Sequence, residues 1–113
     1  MSVKGNNTSG LISALVTDTT ILQNTSTSDR WAVTSISLHE FGGTGDTVEL
    51  FVSNDATSAA AERVDNIVLA ANETEKAIFP TLVLAAGQFL LANALTGSLV
   101  NVEAIYTIYS GDS

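Results

Sequence analysis

No cysteine occurs among the 113 residues. A disulfide framework, a thiolate metal site and a cysteine nucleophile are excluded together. Positive charge is nearly as scarce: four Lys and Arg stand against twelve Asp and Glu, for a formal net charge of −8. The four, Lys4, Arg30, Arg63 and Lys76, are scattered along the chain. A protein that holds nucleic acid by neutralising phosphates needs a continuous positive stripe, so nucleic acid is not expected as a partner. One histidine leaves a single imidazole for acid–base work, and no nucleophile elbow surrounds a serine. Long hydrophobic runs are missing too. The most apolar stretch, residues 82–100, is broken by Gly87, Gln88, Asn93, Thr96, Gly97 and Ser98 and reads as two strands and a turn. No membrane association is expected. Residues 1–10 have no apolar h-region and are not read as a signal peptide.

What remains is 45% apolar and only 14% charged, in a chain of 11.7 kDa that suits one domain. Residues 1–10 form a polar arm rich in Gly, Asn and Ser, expected to be flexible until a partner orders it. Residues 11–113 are expected to form a single domain. Short runs of Val, Ile, Leu, Thr and Phe alternate there with Gly/Asn/Asp/Ser clusters. Strands are expected over 11–17, 19–23, 31–39, 47–53, 64–69, 73–79, 88–93 and 100–109. The fold class is therefore all-β: an antiparallel β-sandwich of about eight strands, jelly-roll-like or immunoglobulin-like.

Alternation supports this reading. Val48, Leu50 and Val52 share one strand face, and Val100, Val102, Ala104, Tyr106 and Ile108 share another. Phe51 falls on the outer face of its strand, which implies that part of that face is covered. Trp31 and Val33 have one parity, Ile36 and Leu38 the other, so either a bulge intervenes near Thr34-Ser35 or the strand is buried on both faces. Gly42-Gly43-Thr44-Gly45-Asp46 reads as a hairpin loop, lacking the lysine of a phosphate-binding loop. Residues 24–29 form a longer polar loop. Residues 55–63, with Ala59, Ala60 and Ala61, read as a loop holding at most one helical turn.

Candidate chemistry is sparse. His39 and Glu40 are adjacent in a strand, so their side chains point to opposite faces. Glu73 and Glu75 share a strand face about 7 Å apart, a spacing some hydrolase pairs use. No aromatic sugar platform accompanies them, and a solvated edge is the simpler reading. Asn54, Asp55 and Asp65 carry oxygen ligands for calcium but lack EF-hand spacing. Four Asn-x-Ser/Thr sequons begin at Asn6, Asn7, Asn24 and Asn72, as chance produces in so hydroxyl-rich a chain. No catalytic residue, metal site or cofactor is expected, and no enzymatic activity.

Two stretches carry a resemblance. One is Arg30-Trp31-Ala32-Val33-Thr34-Ser35-Ile36-Ser37-Leu38, followed by a Gly-rich turn and Asp46-Thr47-Val48-Glu49-Leu50-Phe51-Val52. The other is Leu82-Val83-Leu84-Ala85-Ala86-Gly87-Gln88-Phe89-Leu90, followed by Val100-Asn101-Val102-Glu103-Ala104-Ile105. Over residues 30–108 the chain resembles the small β-sandwich structural proteins of tailed-bacteriophage virions, of the capsid decoration or cement type. It departs from them at His39-Glu40-Phe41 and at the alanine insert 59–61. The resemblance implies a virion component, assembled in the host cytoplasm, that binds the major capsid protein or other virion proteins and reinforces joints between shell subunits. A tail, neck or fibre component is the alternative within that class. A carbohydrate-binding module using Trp31 and Tyr109 is the alternative outside it.

The composition agrees with an assembly role. Hydroxyl and amide side chains are desolvated at lower cost than charges. Val3, Leu11, Ile12, Leu95 and Leu99 are the expected protein-interface residues, with Leu11, Ile12, Leu95 and Leu99 exposed in the lone subunit. The expected partners are copies of the chain itself, most simply as a homotrimer on a threefold shell position.

Overall fold

Alternating apolar strands separated by turn-forming clusters give nine strands in a computed structural model that describes residues 3–14, 16–56, 62–97 and 99–111. They are β1 (Val3–Thr8), β2 (Ile12–Ala14), β3 (Thr19–Gln23), β4 (Arg30–Glu40), β5 (Asp46–Ser53), β6 (Glu62–Leu69), β7 (Thr74–Leu84), β8 (Phe89–Ala94) and β9 (Val100–Tyr109). One sheet has the order β1-β9-β4-β7, with β2 also paired to β9. The other has the order β3-β8-β5-β6. The antiparallel pairs β2·β9, β3·β8, β4·β7 and β5·β6 are rungs of one long nested hairpin. Winding that hairpin brings β9 beside β4 and β8 beside β5, and so closes two sheets into a jelly roll. Of the two sandwich types expected from sequence, the chain forms this one.

The facing sides meet in a core of Val33, Ile36, Leu38, Val48, Leu50, Leu84, Leu90, Val100 and Val102, each at most 1% exposed. Trp31 closes one end of the core, its ring stacked on Tyr106 with centroids 4.8 Å apart. The parity conflict in β4 is resolved by a bulge. Val33 pairs with Tyr106 and Ser35 with Ile105, leaving Thr34 as the extra residue, so Trp31, Val33, Ile36 and Leu38 all face inward. Against β7 the register shifts at the same place but with the excess on the other strand: Val33 pairs with Leu82 and Ser35 with Ile78, so residues 79–81 stand opposite Thr34 alone. Strand β7 therefore runs past Pro80, where the sequence expectation ends it. Proline lacks the N–H a central strand needs, and β7 is an edge strand.

The face of the second sheet that carries Phe51 is partly covered, as that residue implies. Leu91, opposite Phe51 in the register, is fully buried yet lies outside the core cluster. The first ten residues differ from expectation. Val3–Thr8 is a strand along β9 and not a loose arm, although five of its six side chains are exposed. Backbone pairing holds it, with little apolar burial, and so its composition reads as unstructured. The alanine insert 59–61 lies outside the described residues.

Deleting Thr34 removes the bulge and turns either Trp31 and Val33, or Ile36 and Leu38, away from the core. The deletion is expected to abolish cooperative thermal unfolding followed by circular dichroism. Thr34→Ser keeps the residue count and is expected to stay within about 0.5 kcal/mol of the parent.

A candidate assembly surface

The sandwich measures 47 × 26 × 19 Å, and the strands run between two distinct ends. One end gathers the β2–β3, β4–β5, β6–β7 and β8–β9 connections. The other gathers the β3–β4 and β7–β8 connections, together with Val3 and Tyr109 near the chain ends. At this second end Asn24 is fully buried. Its Nδ2 donates to the carbonyls of Asp29 and Leu84, and its Oδ1 accepts from the amide and hydroxyl of Ser26. Its sequon is therefore a buried structural element.

The first end is organised by carboxylates that bind backbone. Glu40 is fully buried at the end of β4. Its Oε1 accepts the amide of Asn72 at 2.8 Å and that of Gly43 at 3.1 Å, and its Oε2 accepts the amide of Gly42 at 2.9 Å. Two sequence features permit this. Asn72 takes the left-handed conformation (φ 61°), which Asn tolerates better than most residues. Gly42 has no Cβ, where one would lie 3.0 Å from both Glu40 Oε2 and the Leu99 amide. The Asn72 amide is the chief group holding the Glu40 carboxyl below its ordinary range, with the amides of Gly43, Gly45 and Gly42 adding to it and burial opposing. Asp46 repeats the device, its Oδ1 accepting the amides of Thr47 at 2.7 Å and Thr96 at 2.9 Å. Glu73 accepts the amide of Ala70.

With these acids committed to loop backbone, apolar side chains occupy the outside. Val16 (60%), Phe41 (41%), Leu95 (47%) and Leu99 (54%) are exposed at this one end. Backbone bonds lock their loops together: Phe41 N donates to Leu99 O, and Leu95 N to Thr47 O. A Cβ placed on Gly97 would touch Val16. Beside this rim, Thr44, Asp46, Val68, Ala70 and Thr96 line an open groove of about 510 Å³.

The five interface residues expected from sequence do not form one surface. Leu95 and Leu99 lie on the rim. Val3 sits across from Tyr109 at the opposite end, and Leu11 is exposed between β1 and β2. Ile12 is not an exposed contact, because its pairing with Val102 sets it against the core. Phe41 and Val16 were the residues missed. A bulky aromatic opening a glycine loop was the available signal for Phe41.

The other candidates separate. His39 and Glu40 do point apart, His39 Nδ1 sharing a 2.7 Å hydrogen bond with Thr74 Oγ1 on the outer face. Glu73 lies ahead of β7 and binds a turn amide, while Glu75 is exposed, so the expected pair on one strand face is not formed. Asp55 is bonded to Ser53, and Asp65 to the amide of Asn66. Among the described residues no three His, Cys, Asp or Glu converge as metal ligands. Trp31 faces the core with Ile108, whereas Tyr109 has the opposite parity, so the two cannot form one sugar-stacking platform.

No protein-family model matches the chain, and no curated protein matches it. Among solved structures it is similar to a chain of the disulfide-linked pili of Bacillus endospore appendages. That match has 16% identity and a TM-score of 0.57, and covers 93% of this chain and 86% of the other. At that identity the likeness concerns the fold. These 113 residues contain no cysteine with which to form a disulfide.

The Glu40 arrangement sets a pH dependence. A carboxyl depressed in the folded state stabilises the fold fully above its ordinary value of 4.5, and that contribution is lost as pH falls through the folded value. Glu40→Gln turns an amide N–H₂ toward backbone donors. It is expected to lower the melting temperature by about 5–10 °C at pH 7. The gap between variant and parent should close on acidification below pH 4.5, as read by thermal melts across pH.

Proposed function

We propose that the chain is a non-enzymatic structural subunit that works by packing against other proteins of a large particle, in the setting of a virion shell as a capsid decoration protein. The observation that carries this reading is the apolar rim. Four exposed large apolar side chains crown one end of the sandwich while Glu40 and Asp46 bind backbone beneath them. Clustered exposed apolar groups mark interaction sites. Each buried Å² of apolar surface contributes roughly 25 cal/mol to association. The resemblance of residues 30–108 to virion proteins supports the shell setting. A subunit of this kind lies across joints in the shell and adds contact area that must be broken before the shell ruptures.

A fibre or appendage subunit is the second reading. It is favoured by the shared fold with a pilus chain, and by exposed apolar residues at both ends of a molecule 47 Å long. Immunogold labelling of particles from the producing cells separates the two. Label over the whole head supports decoration, and label along filaments supports the fibre. Label on no particle at all contradicts both. In either setting Leu99→Asp is expected to reduce particle-bound protein at least tenfold while the thermal melt of the isolated chain is unchanged, a loss of about 1.4 kcal/mol of binding or more.

A further inference from the structure

We propose that the rim of one copy docks on the opposite, terminus-bearing end of a second copy, so that the subunits associate head to tail. This rests on the reading of the chain as an assembling subunit and adds which surface meets which. The two ends differ in charge. The register places Lys4 and Arg30 at the terminus-bearing end: Lys4 follows Val3, which pairs with Tyr109, and Arg30 also pairs with Tyr109. Asp29, which holds Lys4 in a 3.0 Å salt bridge, and Asp55 lie at the same end. On the outside of the rim end lie Asp18, Glu73 and Glu75, with Lys76 the one Lys or Arg near it; Glu40 and Asp46 are buried there on backbone amides and add little to the outer surface. Rim against rim would oppose two acidic ends across a desolvated contact, where charges interact more strongly than in water. Rim against terminus sets an acidic end on a balanced one bearing exposed Lys4 and Arg30.

Apolar surface is available on both partners. Val3 and Val83 are exposed at the terminus-bearing end, where Ala85 and Ala86 are exposed as well. The two surfaces lie at opposite poles of the long axis, so one copy can use both at once. Such an interface is heterologous. The rotation between successive copies decides whether it closes as a ring, such as the trimer expected of a shell component, or runs on as a fibre.

The test is sedimentation of the full chain and two surface variants, Leu99→Asp at the rim and Val3→Asp/Arg30→Glu at the other end. The parent is expected to form species larger than a dimer, and each variant alone to be a monomer. An equimolar mixture of the two variants is expected to give a dimer and nothing larger, because one intact rim meets one intact terminal end. A mixture that stays monomeric overturns the proposal, as does a Leu99→Asp chain that assembles normally. A parent chain that is monomeric at roughly 100 µM does so as well. If Leu99→Asp folds poorly, Leu95→Asp tests the same rim. A monomeric parent whose Leu99→Asp variant still loses particle binding removes the head-to-tail contact and leaves the structural-subunit reading standing.

Discussion

One carboxylate holds together the end of the molecule on which the functional reading turns. Glu40 ends β4 inside the protein, and its two oxygens take up amides from the β4–β5 and β6–β7 connections. A buried carboxylate without donors would be strongly disfavoured. Here the donors come from loop backbone that would otherwise lack partners. The exchange fixes both loops and removes a negative charge from the surface. Phe41 and Leu99, whose backbones bond to each other beside this nest, are thereby held exposed and not free to fold inward.

The topology makes that arrangement possible. In a nested hairpin every second connection returns to the same end, so four loops gather at the end where Glu40 lies, and two of them bind it. Each of them brings a polar anchor or an apolar tip. Strand β4 spans the sandwich, and its bulge at Thr34 keeps both halves facing the core. Without that extra residue, a strand starting with Trp31 inward would carry the Glu40 side chain outward. The Trp31–Tyr106 stack at one end and the Glu40 nest at the other are therefore linked by the register of a single strand.

Much of the fold is legible in the residues. The period-2 pattern of 100–109 predicts β9 to the residue, and the parity break between Val33 and Ile36 leaves a bulge or a strand buried on both faces, of which the register shows the bulge. Strand β1 is not legible, because Val3–Thr8 buries almost no apolar surface and is held by backbone pairing that composition does not record. The full length of β7 is hidden by Pro80, a stop signal that an edge strand tolerates. At the candidate site, Leu95 and Leu99 stand out as apolar residues in turn sequences. Glu40 does not, since nothing local distinguishes a carboxylate bound by distant loop amides from one in solvent. Ile12 misleads for the reverse reason: adjacent to exposed Leu11 it reads as a contact residue, while its pairing with Val102 turns it inward.

The physical picture is of a sandwich whose acids at one end are spent on its own loops and whose apolar residues are left outside. Amide hydrogen exchange at Gly42, Gly43 and Asn72 tests it most directly. These amides lie in surface loops, where exchange is ordinarily fast. The account predicts that near neutral pH they are protected to a degree comparable with the amides of β4, because Glu40 accepts all three. Exchange at the rate of an unstructured peptide would contradict it, and the fixed apolar rim would fall with it.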